Sequence, residues 1–395
     1  MTRPTPRPAL VRSAMGGFFQ LGSSVALLGA LLPVWLYYGS FSLATGGDYF
    51  LAFNLGLVCA AAGSRGLLGK LGPRGLLVAA AMGAGATLLL LAAILSPVVR
   101  IFPMVALGFA TGMLTTGVSW LMFDALAAPM AAPLLSLAGL VFGAGAVSFT
   151  LLVWATFRTL TAPGLLILTG LLPLVLGLLY LGQRSLAQPA LQAVPLRLTW
   201  RATGSPAAAL LALALFFQSG AEWMVGGWLA IYWIRRFGVR LETALLALAW
   251  YWTILTLARL VTPRLPRLTG PFRQITLSAA AALAGCLFLV SAAGWGGAGV
   301  GITLLAAGLG GSYPVLIGMI GDRFPAFHPG FFNGLFSLAL IGGMLAPWLA
   351  GHLADDRIGW IIGAPAVSVV LVYLLLSGVL LEARAARMAK TASSS

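Results

Sequence analysis

Long apolar stretches alternate with short polar ones along the whole chain. Each apolar stretch approaches the ~20 residues that a helix needs to cross a bilayer. The pattern predicts twelve spans, at roughly 12–38, 48–68, 74–96, 101–125, 131–157, 163–183, 207–234, 242–262, 274–294, 297–321, 329–352 and 359–382. The alternating ~10-residue segments of a membrane β-barrel are not seen. The ninth and tenth spans are separated only by Gly294–Gly301, GWGGAGVG, read as a turn. Ser185 to Pro206 is the longest polar connection and reads as a linker. The expected organisation is a six-helix half at 1–184, a linker at 185–206, a second six-helix half at 207–389 and a disordered tail at 390–395.

Composition strengthens this reading. The chain is 60% hydrophobic and 8% charged, which suits a polytopic all-α membrane protein. The net charge of +15 does not point to nucleic acid, because Lys and Arg fall in short clusters between apolar runs. With the N-terminus cytoplasmic, 17 of the 23 basic residues lie on the inner side and 6 on the outer side. Both termini are therefore expected inside, in a bacterial inner membrane. Cys59 and Cys286 lie within apolar runs and read as small core residues rather than a disulfide.

The two halves carry traces of a duplication. Phe18-Phe19-Gln20-Leu21-Gly22 matches Phe216-Phe217-Gln218-Ser219-Gly220 at an offset of 198. Arg65 and Lys70 answer Arg259 and Arg264, Gly108 answers Gly308, Asp124 answers Asp322, and Ser136 and Gly145 answer Asn333 and Gly342. The matches keep chain order at a nearly constant offset, as parallel repeats in transporters do.

Ser64-Arg65-Gly66-Leu67-Leu68-Gly69-Lys70-Leu71-Gly72-Pro73-Arg74 resembles the loop between helices 2 and 3 of the major facilitator superfamily (MFS). Gly69 stands where that family carries an aspartate, so the usual charge relay is missing or rebuilt. Gly220-Ala221-Glu222 with Gly226-Gly227-Trp228, Leu257-Ala258-Arg259, and Gly321-Asp322-Arg323-Phe324-Pro325 with Asn333-Gly334 resemble the fucose/glucose-type branch. The resemblance implies twelve helices in two pseudo-symmetric bundles and sugar uptake by cation symport.

Glu222 is the sharpest single signal. A carboxylate at bilayer mid-depth costs ~2.5–3.5 kcal/mol on insertion scales, so it should face the bundle interior or a water-filled cavity. No Lys or Arg sits at comparable depth in any predicted span, so Glu222 is expected without a close permanent cation and is assigned the coupling of H⁺, or less favourably Na⁺. Gln218, one turn earlier, and its counterpart Gln20 are expected to line both walls of one cavity and to bind hydroxyls. Asn54, Trp223, Trp252 and Tyr313 are further candidates for solute contact. Arg65, Lys70, Asp124, Arg259, Arg264 and Asp322 are expected at cytoplasmic helix ends, where salt bridges would close an inner gate.

Enzymatic chemistry finds little support. His328 and His352 lack metal-ligand spacing, and no phosphate-binding loop follows a strand. The expected protein is not an enzyme. It is a monomeric transporter of a small hydroxylated solute, a sugar by preference, with no cofactor beyond the coupling ion and no nucleic-acid partner. A proton-coupled exporter of amphipathic or cationic compounds is the alternative within transport, and a non-transporting membrane sensor the alternative outside it.

Overall fold

The computed structural model describes residues 8–39, 42–123, 131–182, 206–262, 270–323, 329–354 and 357–394, with side chains left out at some helix ends. They are almost entirely helical: α1 (Pro8–Tyr38), α2 (Leu43–Ala93), α3 (Ile101–Phe123), α4 (Ala131–Thr156), α5 (Ala162–Leu181), α6 (Pro206–Phe237), α7 (Leu241–Val261), α8 (Pro271–Ser291), α9 (Trp295–Arg323), α10 (Pro329–Leu353) and α11 (Trp360–Ser394). α2 runs 51 residues but breaks at Gly72, whose φ of 68° lies in the left-handed region that glycine tolerates. The stretch supplies two spans, Leu43–Ser64 and Gly66–Ala93, with the kink at Gly72 falling early in the second, so the described residues form twelve helices. Among the described residues eleven spans are long and apolar enough to cross a membrane, and Leu338–Leu353 is a shorter apolar one. Exposed Leu, Val, Phe and Trp side chains such as Leu178, Leu179, Val290 and Leu374 form an apolar outer surface suited to lipid. The protein is a multi-pass membrane protein.

Most expected spans agree with the observed helices to within a few residues. Two differences have local causes. The glycine run after Gly294 is helical from Trp295 onward, because Gly301 lets α9 approach α8 closely: a methyl there would lie 3.0 Å from the Gly285 carbonyl oxygen. The last helix continues through Ser394, where a disordered tail was expected from Lys390. Residues 381–390, Leu-Glu-Ala-Arg-Ala-Ala-Arg-Met-Ala-Lys, are good helix formers and carry the helix up to it.

One hydrophobic cluster draws only on residues between Ala14 and Tyr180, and a second only on residues between Ala208 and Val379. A larger third cluster combines both parts. Hydrogen bonds and ion pairs gather the helix ends near residues 38, 94–100, 157–161, 238–240 and 292–294 at one face. Tyr38 donates to the Phe157 carbonyl at 2.7 Å, Tyr49 to Pro97 at 2.8 Å and Tyr232 to Leu289 at 2.9 Å. This face is called distal below.

The two parts of the chain meet tightly toward the distal face. Gly29 of α1 lies against Gly226 of α6, where a methyl would come within 2.0 Å of the Gly226 carbonyl oxygen. Gly227 lies against the Phe50 ring, and Gly351 of α10 against Leu43 and Gly47 of α2. Polar contacts join the parts there too. Arg158 pairs with Glu242, and Trp348 donates to Asp48 at 3.1 Å. His352 lies 3.6 Å from the same carboxylate oxygen of Asp48.

Candidate functional site

Glu222 lies half-way along α6 and does have a cation beside it. Arg259 of α7 forms an ion pair with its Oε2, which overturns the expectation of an unpaired acid. The reason is hairpin arithmetic. α6 and α7 run antiparallel from the turn at 238–240, where Gly238 has a φ of 61°. Position 222 is level with about position 256, and Arg259 is three residues, ~4.5 Å, farther along. The arginine stem covers that distance, so a residue assigned to the helix end delivers its charge to mid-helix. The pair is shielded, with the Arg259 side chain 24% and the Glu222 side chain 13% exposed. In this arrangement the Arg259 guanidinium is engaged by Glu222.

The pair is held by neighbours from three helices. Gln218 donates from Nε2 to Glu222 Oε1 at 2.8 Å and to the Leu309 carbonyl at 2.9 Å. Ser312 donates to Gln218 Oε1 at 2.8 Å, which fixes the amide from the other end. Tyr251 donates to the Glu222 backbone carbonyl at 3.4 Å. The Arg259 guanidinium stacks over the Tyr313 ring at 4.6 Å from its centroid, a cation–π contact. Arg259 Nε is buried and has no hydrogen-bond partner among the described residues. The cluster is thus a charge pair with one polar donor unspent.

The structure brings Glu222, Gln218, Arg259 and Tyr313 of the expected residues together and adds Tyr251 and Ser312. Neither addition was foreseen. Tyr251 sits eight residues before Arg259 on the same helix, a spacing that does not by itself single it out. The other candidates lie elsewhere. Trp223 faces Phe53 across the two parts, with ring centroids 6.0 Å apart, and packs on Gly343. Trp252 is buried against Gly226, with no partner for its indole N–H. Asn54 is buried in α2 and donates to its own helix at the Phe50 carbonyl. Lys70 is exposed. Asp124 and Arg264 lie outside the described residues, as do the side chains of Arg65 and Asp322.

Gln20 and Gln218 do not line one cavity. Among the described residues, Gln20 lies in a space lined by α1, α2, α4 and α5, whereas the hydrogen-bond partners of Gln218 are in α6 and α9. Register explains this. A methyl on Gly145 would meet the Phe19 carbonyl oxygen at 2.0 Å, and one on Gly342 would meet Phe216 at the same distance. Phe19 and Phe216, and Gly145 and Gly342, are each 197 apart, as are the crossing glycines Gly29 and Gly226. The packing repeat of these helices is therefore one residue shorter than the 198 of the Phe-Phe-Gln match. One residue is ~100° around a helix, so the two amides point to different flanks.

No family model matches the sequence, and no curated protein matches it. Solved structures do. A D-xylose–proton symporter is 13% identical, with 92% of this chain and 96% of that chain covered and a TM-score of 0.74. The MFS transporter FucP in its outward conformation is 17% identical, with 93% and 98% covered and a TM-score of 0.63; FucP is the fucose:proton symporter of E. coli. The nucleoside transporter NupG is 14% identical, with 93% and 99% covered and a TM-score of 0.74. Over nearly its whole length, this chain has the fold of MFS transporters.

Proposed function

We propose that this chain is a secondary transporter that carries a small hydroxylated solute, a sugar by preference, across the membrane with a coupled proton. The observation that carries the reading is the shielded Glu222–Arg259 pair with its unspent Arg259 Nε–H, close to where α1 and α6 cross. The fold's neighbours include xylose, fucose and nucleoside transporters, and two of them are proton symporters.

The chemistry follows from the pair. While Glu222 is ionised, each charge compensates the other and Gln218 and Tyr313 hold the arrangement. A proton taken up by the carboxylate cancels its attraction for Arg259. The guanidinium is then a free fork of donors, suited to hydroxyl oxygens. Solute binding and proton occupancy become linked through one arginine. Na⁺ could replace the proton only by entering beside Arg259, a less favourable place for a second cation. The neutralised carboxylate also offers little to a cationic compound, which favours a neutral solute over export of cations.

The proposed motion is a rocking of two six-helix halves, 8–182 against 206–394, about the α1–α6 and α4–α7 contacts. With both termini cytoplasmic, the tight distal face is the outer one, and the described arrangement is closed to the outside. Counterflow in proteoliposomes across a panel of monosaccharides and nucleosides tests the reading. Exchange of a labelled sugar is the expected result, and a panel with no exchange at all would contradict it.

A further inference from the structure

We propose that residues 8–182 carry a second, lateral site that takes an uncharged amphiphile from the bilayer, a reading independent of the transport proposal. A cavity of about 260 Å³ lies among α1, α2, α4 and α5. Gln20, Ser23, Ser24, Thr169 and Ser148 give it a polar lining. Leu152, Leu168 and Leu172 line it on the side of α4 and α5. Ser148 and Leu172 are exposed, and beside them Leu151, Ile167 and Leu171 present the apolar surface that faces lipid. The cavity therefore opens toward the acyl chains.

Its inner wall holds an unmet polar group. Gln20 is 2% exposed; its Nε2 donates to Ser24 Oγ at 3.3 Å, and its Oε1 has no partner. Exchanging the two ends of the amide leaves a donor orphaned instead of an acceptor, so one end stays unmet either way. Ser23 and Thr169 donate to backbone carbonyls, at 3.1 Å to Phe19 and 3.1 Å to Leu166, which leaves their oxygens able to accept. Gln218 is the internal contrast. Its amide is spent at both ends, and the space beside it is about 10 Å³, room for one water at most.

The lining selects the occupant. It holds no charged residue, so an ionised headgroup would lose its hydration without gaining a counter-charge. A purely apolar chain would leave the Gln20 amide unmet. Water needs two to four polar partners each, and the leucine side of the cavity supplies none. A hydroxyl-bearing headgroup on a short alkyl body meets both walls.

The test is photolabelling of the full chain in lipid nanodiscs with a diazirine-bearing decanol, with adducts mapped by mass spectrometry. Adducts at Leu152, Leu168 and Leu172 are expected, with competition by 1-decanol and none by ionised decanoate. Gln20→Leu removes the polar anchor and lowers labelling about fivefold, the worth of one hydrogen bond. Ser148→Phe fills the mouth from an exposed position, leaves Gln20 in place and lowers labelling to a similar degree. If Gln20→Leu does not fold, Ser148→Phe decides the matter alone. Labelling spread over Leu151, Ile167 and Leu171 without competition, equal competition by decanoate, or a folded variant that labels like the parent would each overturn the proposal.

Discussion

The Glu222–Arg259 pair sets the properties of the site residue by residue. Removing one partner of a shielded pair strands the other charge, at about 3 kcal/mol. Arg259→Ala is therefore expected to lower stability by that order, while Glu222→Gln with Arg259→Gln together should restore most of it. Thermal unfolding in one detergent compares the two variants with the parent, and a double variant as unstable as Arg259→Ala alone would argue against direct pairing. Glu222 was legible in the sequence because a lone acid inside an apolar run is costly wherever it lies. Its partner was visible but misplaced, because depth was read from position along α7 without adding the length of the arginine side chain. Ser312 and Tyr251 were not legible as site residues. Hydroxyls are common in apolar helices, where many only bond back to their own backbone, as Thr256 does to Trp252 at 2.7 Å.

At the scale of elements, close approach of glycines decides how α1, α6, α2 and α10 meet. The Gly226-Gly227-Trp228 stretch is a contact point. Gly226 admits Gly29, Gly227 admits the Phe50 ring, and Trp228 donates to the Pro347 carbonyl at 3.0 Å. A methyl at 227 would come within 2.3 Å of Phe50, so Gly227→Val must push α2 away from α6. Leu43 is fully buried at the distal end of α2 and reports on such a shift. In a background without Cys59, maleimide labelling of Leu43→Cys is expected to rise several-fold when Gly227→Val is added, and unchanged labelling would contradict this role. Span number and most boundaries were legible because apolar length sets them. The repeat was legible too, but its register in α1 and α6 was not. A match at four of five positions gives an offset of 198, whereas the backbone contacts of Gly145 and Gly342 give 197. A one-residue difference is invisible in composition yet turns Gln20 to another flank.

On the scale of the whole molecule, the distal closure combines apolar packing with a few ion pairs of unequal weight. Arg158 is 67% exposed, and a solvated pair of that kind contributes ~1 kcal/mol or less. Arg158→Ala should leave both stability and distal closure nearly unchanged. Trp348→Ala removes the ring that packs beside His352 and donates to Asp48, and should open the distal face. Spin labels on the two parts, compared in both variants by distance measurement, separate these outcomes; equal distance distributions would show that Trp348 does not hold the face shut. The central claim is that Glu222 couples a proton to the solute. Its most direct test is proton flux in proteoliposomes with an internal pH dye, driven by an inward gradient of a sugar that shows counterflow. The account predicts internal acidification with the parent protein, and none with Glu222→Gln, while counterflow of the same sugar persists. Acidification by Glu222→Gln equal to that of the parent would contradict it.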